Sequence, residues 1–252
     1  MAGHSHWAGI KHKKALIDAK RGKLWSKLSK AIIVAAKLGG GDPDHNSRLR
    51  LAIEAAKAVS MPKENIQRAI KRGTGEIAGE NLEEVLYEGY GPGGVAVLCD
   101  VLTDNRNRTA AEIRKLFEIS DGKLGSAGCV AWMFEKKGLF LVAADKVDED
   151  RLMEVALEAG ADDVRLTGDK FEVTCPPDAF QKVSEALEAA GIVPDVREVS
   201  RMPKNIVDVT DPDIARKVLK LMNRLDDHDD VQNVSSNFNI PEEILAQVGT
   251  ET

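Results

Sequence analysis

The chain contains 252 residues, 43% of them hydrophobic and 30% charged, with a formal net charge of −6. This length and composition predict a globular protein of two or three domains and exclude a small module held together by disulfides. Because no apolar stretch reaches the roughly 20 residues of a membrane span and the N-terminus has no signal-peptide core, we expect a cytoplasmic protein with no membrane partner. The cysteines are too widely spaced for a zinc site, and we expect reduced core thiols.

Charge is distributed unevenly along the chain. Residues 1–75 carry 16 basic and 5 acidic residues, a net charge of +11, whereas the remainder carries −17. Such asymmetry predicts a basic module that binds a polyanion, joined to an acidic body that repels it. The alternative is a solvated basic surface without a ligand.

The first 80 residues predict a basic three-helix domain that begins with a mobile arm. Residues 1–11 lack an apolar period, which indicates the arm. Apolar residues at three- and four-residue spacing then predict helices over about 12–39, 47–59 and 62–73, with glycines after the first and third helices and a proline opening the third.

Short strands alternate with helices after a linker around residues 75–79. Residues 82–90 and 95–103 predict two strands, 109–119 a helix and 130–134 a further strand. The next segment has the pattern β-α-β-β-α-β, which predicts an inserted acidic ferredoxin-like domain over residues 136–202. Its predicted strands and helices are 139–143, 149–159, 163–167, 171–175, 177–190 and 193–200.

The segment after residue 202 predicts only a helix, 213–225, and a strand, 231–238, which are too little to fold alone. We expect them to complete a discontinuous α/β domain made of residues 81–135 and 203–240, followed by a C-terminal tail, 241–252. The predicted fold class is therefore α+β, with a three-helix domain followed by two small α/β domains, the ferredoxin-like one inserted into the other. The alternative is an independent tail packed on the ferredoxin-like unit.

Motifs for catalysis are absent from the sequence. Gly89, Gly91 and Gly94 match a dinucleotide-binding fingerprint, but a strand follows them where that site needs a helix, and Pro92 favours a hairpin turn. No hydrolase elbow, metalloprotease helix or P-loop occurs. We therefore predict that the protein is not an enzyme and has no catalytic residues, no cofactor and no small-molecule substrate.

Two clusters resemble metal sites without predicting one. His4, His6 and His12 near the N-terminus favour no more than adventitious copper or nickel binding. The run from Asp226 to Asp230 follows the negative end of a predicted helix, so we expect a solvated loop there and no cation site.

Basic residues with an interleaved tryptophan predict contacts to the phosphates of a nucleic acid. Recognition of a base sequence is not expected, because the third helix offers few side chains that read base edges. A second candidate phosphate site lies where a helix begins after residue 104, with plain helix capping as the alternative. The strand 171–175 lacks the aromatic residues of an RNA-recognition fold. The candidate nucleic-acid-binding residues are Trp7, Lys11, His12, Lys13, Lys14, Lys20, Arg21, Lys23, Lys27, Arg48, Arg50, Lys63, Arg68, Lys71, Arg72, Asn105, Arg106, Asn107 and Arg108.

Several long blocks resemble one protein family in the same order along nearly the whole chain. They include MAGHSHW, IKHKKALIDAKRGK, GGGDPDHNSRLR, MPKENIQRAIKRGTGE, YEGYGPGGVA, LTDNRNRT and DDVQNVSSNF, and they are similar to those of the YebC family. The resemblance implies three domains, the second discontinuous, and a DNA-binding transcriptional regulator. A mitochondrial relative is a translational activator of cytochrome c oxidase subunit I, so the alternative is a ribosome-associated translation factor that binds rRNA. His6 and the run from Leu24 to Ser26 depart from the family pattern. The oligomeric state is not predicted.

Overall fold

The computed structural model describes residues 21–79 and 81–249. Helices α1 (Arg21–Gly39), α2 (Ser47–Ala58) and α3 (Lys63–Gly73) form the first unit. Asn46 caps α2, since its side chain accepts a hydrogen bond from the Leu49 amide. The same side chain donates to the carbonyl oxygens of Ala35 and Gly40 and so fixes the end of α1. Ile32, Leu49 and Ile66 meet in the core between the helices.

Helix α3 crosses α1 at very short range. A Cβ atom at Gly73 would lie 2.4 Å from the Ile33 carbonyl oxygen and 2.7 Å from the Ala36 Cβ. Only a glycine lets the two helices approach this closely, because any side chain would meet backbone atoms that cannot yield.

The second unit is a four-stranded antiparallel sheet with helices on one face. Its strands are β1 (Glu83–Tyr90), β2 (Ala96–Thr103), β3 (Lys123–Leu124) and, far along the chain, β9 (Val231–Ser236), in the order β3-β1-β2-β9. Helices α4 (Arg106–Glu118) and α7 (Pro212–Asp226) cover one face through residues such as Ile113, Phe117 and Leu221. The return of β9 to pair with β2 shows that this unit is built from two separate segments.

The inserted unit is ferredoxin-like. It comprises β4 (Phe134–Ala143), α5 (Glu149–Glu158), β5 (Asp163–Thr167), β6 (Lys170–Cys175), α6 (Phe180–Ala189) and β7 (Val196–Pro203). Its antiparallel sheet has the order β5-β6-β4-β7, and Phe140 stacks on Phe180 with ring centroids 4.7 Å apart. The predicted fold class is confirmed. The domain boundaries stay a prediction, and β4 and β7 each run across one of them.

Three features differ from the sequence-based expectations. The predicted strand 130–134 is wrong, because Ala131–Met133 form a 3₁₀ turn and β4 begins only at Phe134. The predicted strand 231–238 ends at Ser236, since β10 (Phe238–Asn239) pairs in parallel with β8 (Val207–Asp208) in a separate ribbon. The C-terminal tail contains helix α8 (Glu242–Gly249), which packs against α7 and buries Val248. Within residues 21–79 and 81–249, no helix has the length and apolarity to cross a bilayer.

The second face of the first sheet holds the three units together. At one end, Leu102 packs against Val34 of α1. In the middle, Asp100 accepts a bidentate hydrogen bond from Arg201 of β7, and Asn233 donates to Ser200. At the other end, the segment before β4 packs on Leu98 through Val130. The basic helices and that segment therefore lie at opposite ends of the same sheet face.

Candidate nucleic-acid interface

Helix α3 presents four basic side chains to solvent. Ile66, Ala69 and Ile70 face the core, and the opposite side of the helix carries Arg68, Lys71 and Arg72. Lys63 is exposed at the first position of the helix, and we call these four basic residues the α3 surface. None of these four side chains makes a hydrogen bond or an ion pair with another described residue. Lys71 and Arg72 lie in the last turn, where the negative helix end stabilises cations. The α3 surface is therefore positively charged, and no carboxylate in the described part of the chain forms an ion pair with it.

The lysines of α1 are engaged within the molecule. Lys37 donates to Asn81, and the other three contact the acidic loop, Asp226–Asp230, which connects α7 to β9. Lys23 forms an ion pair with Asp229 at 3.3 Å, and Lys27 donates to the Asp226 carbonyl oxygen at the end of α7. Lys30, which is not among the predicted binding residues, donates to Asp230 through Nζ and Oδ1, 2.5 Å apart. Its spacing of seven residues from Lys23 places it on the same helix face.

Asp230 is the centre of a hydrogen-bond network. Besides Lys30, its carboxylate accepts bonds from the Arg108 guanidinium at 3.0 Å and the Thr109 hydroxyl at 2.7 Å. Burial raises the pKa of the Asp230 carboxyl, but these three hydrogen bonds together outweigh that effect and hold the pKa well below its ordinary range. The expectation of a solvated loop is wrong for Asp230, which is only 3% exposed, because cations of the chain itself compensate its charge.

Two residues of the predicted phosphate site at the start of α4, Asn105 and Arg108, make contacts within the chain. Asn105 caps the helix by accepting a hydrogen bond from the Arg108 amide at 3.0 Å. The Arg108 guanidinium is shared between Asp104 at 2.9 Å and Asp230 at 3.0 Å, so its charge is compensated. Arg106 and Asn107 are exposed, and the Arg106 carbonyl oxygen accepts a hydrogen bond from the Tyr87 hydroxyl.

Of the remaining predicted binding residues, one is ion-paired, one is half-buried and the others lie outside the described part of the chain. Arg48 forms an ion pair with Glu84, and the Arg48 hydrogen bond lowers the pKa of that carboxyl. Arg50 is half-buried, and its Nε has no hydrogen-bond partner in the described part of the chain. Two parts of the prediction lie outside the described residues, the arm residues Trp7, Lys11, His12, Lys13, Lys14 and Lys20 and the side chain of Arg21.

A cleft of about 770 Å³ lies between α1, α4 and the acidic loop. In it, Glu112, His228 and Asp230 each offer a possible metal-ligand atom, all within 4.8 Å of one another. The chain already uses these atoms. His228 Nδ1 accepts a hydrogen bond from the Asp230 amide at 3.2 Å, so Nε2 carries the proton and donates to Glu112 at 3.0 Å. We assign no metal to this group, because Asp230 is also bound by three donors.

Comparison with known proteins gives a consistent result along nearly the whole chain. Residues 5–76 match the family described as the TACO1/YebC protein N-terminal domain, and residues 82–238 match the TACO1/YebC second and third domain. A probable transcriptional regulatory protein of Rhodopirellula baltica is 58% identical over 248 residues, which cover 98% of this chain and 100% of the relative. A protein of the same description from Dictyoglomus turgidum is 58% identical over 246 residues, covering 97% and 98%.

The fold comparison agrees. The crystal structure of a conserved hypothetical protein from Aquifex aeolicus superposes with a TM-score of 0.86 at 51% sequence identity and covers 95% of this chain and 99% of that one. The resemblance noted in the sequence is confirmed by both family matches and by these relatives. The chain belongs to the TACO1/YebC family.

Proposed function

We propose that this protein is a non-enzymatic, cytoplasmic regulator of gene expression that binds nucleic acid through the α3 surface. The observation that carries the proposal is the contrast between two basic helices. The cations of α3 are exposed and form no ion pair with a described residue, whereas Lys23, Lys27 and Lys30 of α1 are bound to the acidic loop. A phosphate backbone would therefore meet its first available cations at Lys63, Arg68, Lys71 and Arg72.

The chemistry of the α3 surface favours binding by charge and shape. On this helix, Gln67 is the exposed amide side chain able to read adenine, Asn65 is half-buried, and the exposed lysines and arginines can contact either guanine or phosphate. Specific readers of the major groove use several such side chains together. Contacts to phosphates give affinity that falls steeply with salt but little sequence discrimination.

The relatives named probable transcriptional regulatory proteins support duplex DNA as the target. The alternative target is ribosomal RNA, with a role in translation. A surface that recognises charge and shape would serve for either polyanion.

The test compares the nucleic-acid affinity of the wild type with that of a variant in which two charges of the α3 surface are reversed. We expect Lys71→Glu/Arg72→Glu to weaken binding to duplex DNA and to reduce the slope of log affinity against log salt by about 2, because two phosphate contacts are lost. The matched control is Lys182→Glu/Lys220→Glu, which changes the net charge equally at exposed positions on α6 and α7. Fluorescence anisotropy over a salt series measures both effects.

If the α3 variant and the control bind equally well, the α3 surface is not the interface. Sedimentation with ribosomal subunits at low and high salt separates the two targets. Salt-resistant migration with a subunit, lost in the α3 variant, would favour rRNA over DNA.

A further inference from the structure

The segment between β3 and β4 is held rigidly by one buried carboxylate. Glu88 in β1 is 4% exposed and accepts hydrogen bonds from the amides of Gly128 at 2.6 Å, Val130 at 2.9 Å and Ala131 at 2.8 Å. Burial raises the pKa of Glu88, but the three amide bonds outweigh this and lower it below the ordinary value. Glu88 is therefore ionised at neutral pH, and residues 128–131 are fixed to the sheet.

This rigid segment presents two aromatic rings to solvent. The Trp132 indole nitrogen donates to the Cys129 carbonyl oxygen at 3.2 Å, and the Tyr90 hydroxyl donates to the same oxygen at 3.3 Å. Trp132 is 65% exposed and Tyr90 38%. Because the polar atom of each ring is already bonded to the chain, the part of each ring left to solvent is mainly its apolar face. We call Tyr90 and Trp132 the aromatic pair.

Unpaired lysines border the aromatic pair. Lys123 lies directly opposite Tyr90 in the β1–β3 ladder, so both side chains leave the same face of the sheet. The Lys204 amide donates to the Met133 carbonyl oxygen at 2.8 Å, which places Lys204 beside the residue that follows Trp132. Both lysines are exposed, and neither forms an ion pair with a described residue. Aromatic rings beside lysines are typical of surfaces that bind unpaired nucleic-acid strands, where bases stack and phosphates are neutralised.

We propose that the aromatic pair is a stacking site for unpaired nucleobases. This inference rests on the proposed function and adds that the ligand includes bases that are not stacked in a duplex. The residues from Gly125 to Gly128, which come directly before Cys129, are all small and exposed, so no bulky side chain of this run stands beside the carbonyl oxygen that holds both rings. A duplex cannot use the site, because its bases already stack on one another.

The position of the site sets the length of a suitable ligand. Arg48 contacts Glu84 near the start of β1, and Tyr90 ends the strand six residues later, a distance of about 20 Å. A strand stacked as in a duplex advances about 3.4 Å per nucleotide and would need roughly six nucleotides for this length. An extended unpaired strand needs fewer, so an oligonucleotide of about 15 can reach from the three-helix unit to the aromatic pair.

The test uses the intrinsic fluorescence of Trp132. The chain has three tryptophans, so Trp7→Phe/Trp25→Phe leaves Trp132 as the only one. Because Trp7 is itself a candidate binding residue, the affinity of this variant is first compared with that of the wild type by anisotropy. A mixed-sequence RNA of about 15 nucleotides, its DNA equivalent and the duplex of each with its complement are titrated at low salt. We expect both single strands to quench Trp132 strongly and both duplexes to leave it nearly unchanged.

Affinity measured by anisotropy provides a second readout. Trp132→Ala should weaken single-strand binding at least about fivefold and leave duplex binding unchanged, because one stacked base contributes on the order of 1–3 kcal/mol. Trp132→Phe, which keeps a ring, should retain most of the affinity. Since Trp132 is largely exposed, thermal unfolding of both variants should match that of the wild type.

The outcomes separate this inference from the proposed function. If Trp132 is not quenched and Trp132→Ala binds both ligands normally while Lys71→Glu/Arg72→Glu weakens both, the stacking site is wrong and the proposed function stands. If the wild type binds neither single strands nor duplexes at low salt, both proposals are overturned.

Discussion

Lys30 of helix α1 and Asp230 of the acidic loop, 200 residues apart in the chain, form an ion pair with 2.5 Å between Nζ and Oδ1. The Asp230 side chain is 5% exposed and that of Lys30 17%. Arg108 and Thr109 bind the other carboxylate oxygen, so the charge of Asp230 is fully satisfied although it is buried. This network fastens the three-helix unit to the body.

Removing the charge of Asp230 should destabilise the protein. In Asp230→Asn the side-chain NH₂ would face donors, and Lys30 would lose its ionic partner, so we expect the free energy of unfolding at neutral pH to fall by about 2–4 kcal/mol. The matched control is Asp229→Asn, an exposed partner of Lys23, which should cost less than about 1 kcal/mol. Urea denaturation followed by circular dichroism measures both. Equal stability of the two variants would contradict the assigned network.

The contribution of Asp230 should also depend on pH. Its pKa in the folded state lies below the value of about 3.9 for an unfolded chain, so its stabilisation is complete above that pH and is lost as the pH falls through the folded-state pKa. The difference in unfolding free energy between wild type and Asp230→Asn should stay constant at neutral and mildly acidic pH and shrink below about pH 4. If this difference in unfolding free energy grew on acidification, the pKa of Asp230 would be raised in the folded state and not lowered, and the explanation would be rejected.

Gly73→Ala should force α1 and α3 apart. Its Cβ would lie 2.4 Å from the Ile33 carbonyl oxygen, and overpacking of this kind costs about 1–3 kcal/mol. Gly22→Ala in α1 is the control, since nothing lies within 4 Å of a Cβ there and alanine favours a helix by up to about 1 kcal/mol. Thermal unfolding should therefore move in opposite directions for the two variants. A neutral Gly73→Ala would show that the helices are not in close contact.

Lysines on α1 and α3 should contribute unequally to binding. We expect Lys71→Gln to reduce the slope of log affinity against log salt by about 1 and Lys27→Gln to change it little, because Lys27 already donates to the acidic loop. Both variants remove one charge, so each serves as the control for the other. Equal losses would mean that α1 leaves the acidic loop to contact phosphate.

The cysteines should differ in their reactivity towards a thiol reagent. Cys99 and Cys175 are buried, and burial raises the pKa of both thiols, that of Cys175 to about 11. Cys129 is only partly buried, in the loop before β4. We expect Cys129 alone to react in the native protein, slowly because burial and Glu88 raise its pKa, and all three thiols to react in urea. Native reactivity that persists in Cys129→Ser would contradict this.

Local patterns carried most of the fold prediction. The period of buried residues in α3 and the six elements of the ferredoxin-like unit are properties of short segments, and the sequence predicted them within a few residues. The strand expected at 130–134 failed because Glu88, 42 residues before Val130, takes the amide hydrogens that a strand would need. A hydrogen bond to a side chain this far away in the sequence cannot be recognised from the spacing of apolar residues.

The site was harder to predict for an electrostatic reason. A charge count shows that residues 1–75 are basic, but it does not show which cations are neutralised by carboxylates elsewhere in the chain. Lys27 was a candidate and proved to be engaged, while Lys30 was not selected although it makes the shortest of these contacts with a carboxylate. No sequence pattern indicated that Tyr90 and Trp132 lie together, because the atom that both side chains bind is a backbone carbonyl oxygen.

The sequence separation of Lys30 and Asp230 has a consequence for biosynthesis. At about 5–20 residues per second, the acidic loop is translated roughly 10–40 s after α1. During that interval the nascent chain carries an uncovered cationic helix. Chains that terminate before residue 226 would keep it permanently and should adhere to cellular polyanions more avidly than the complete protein.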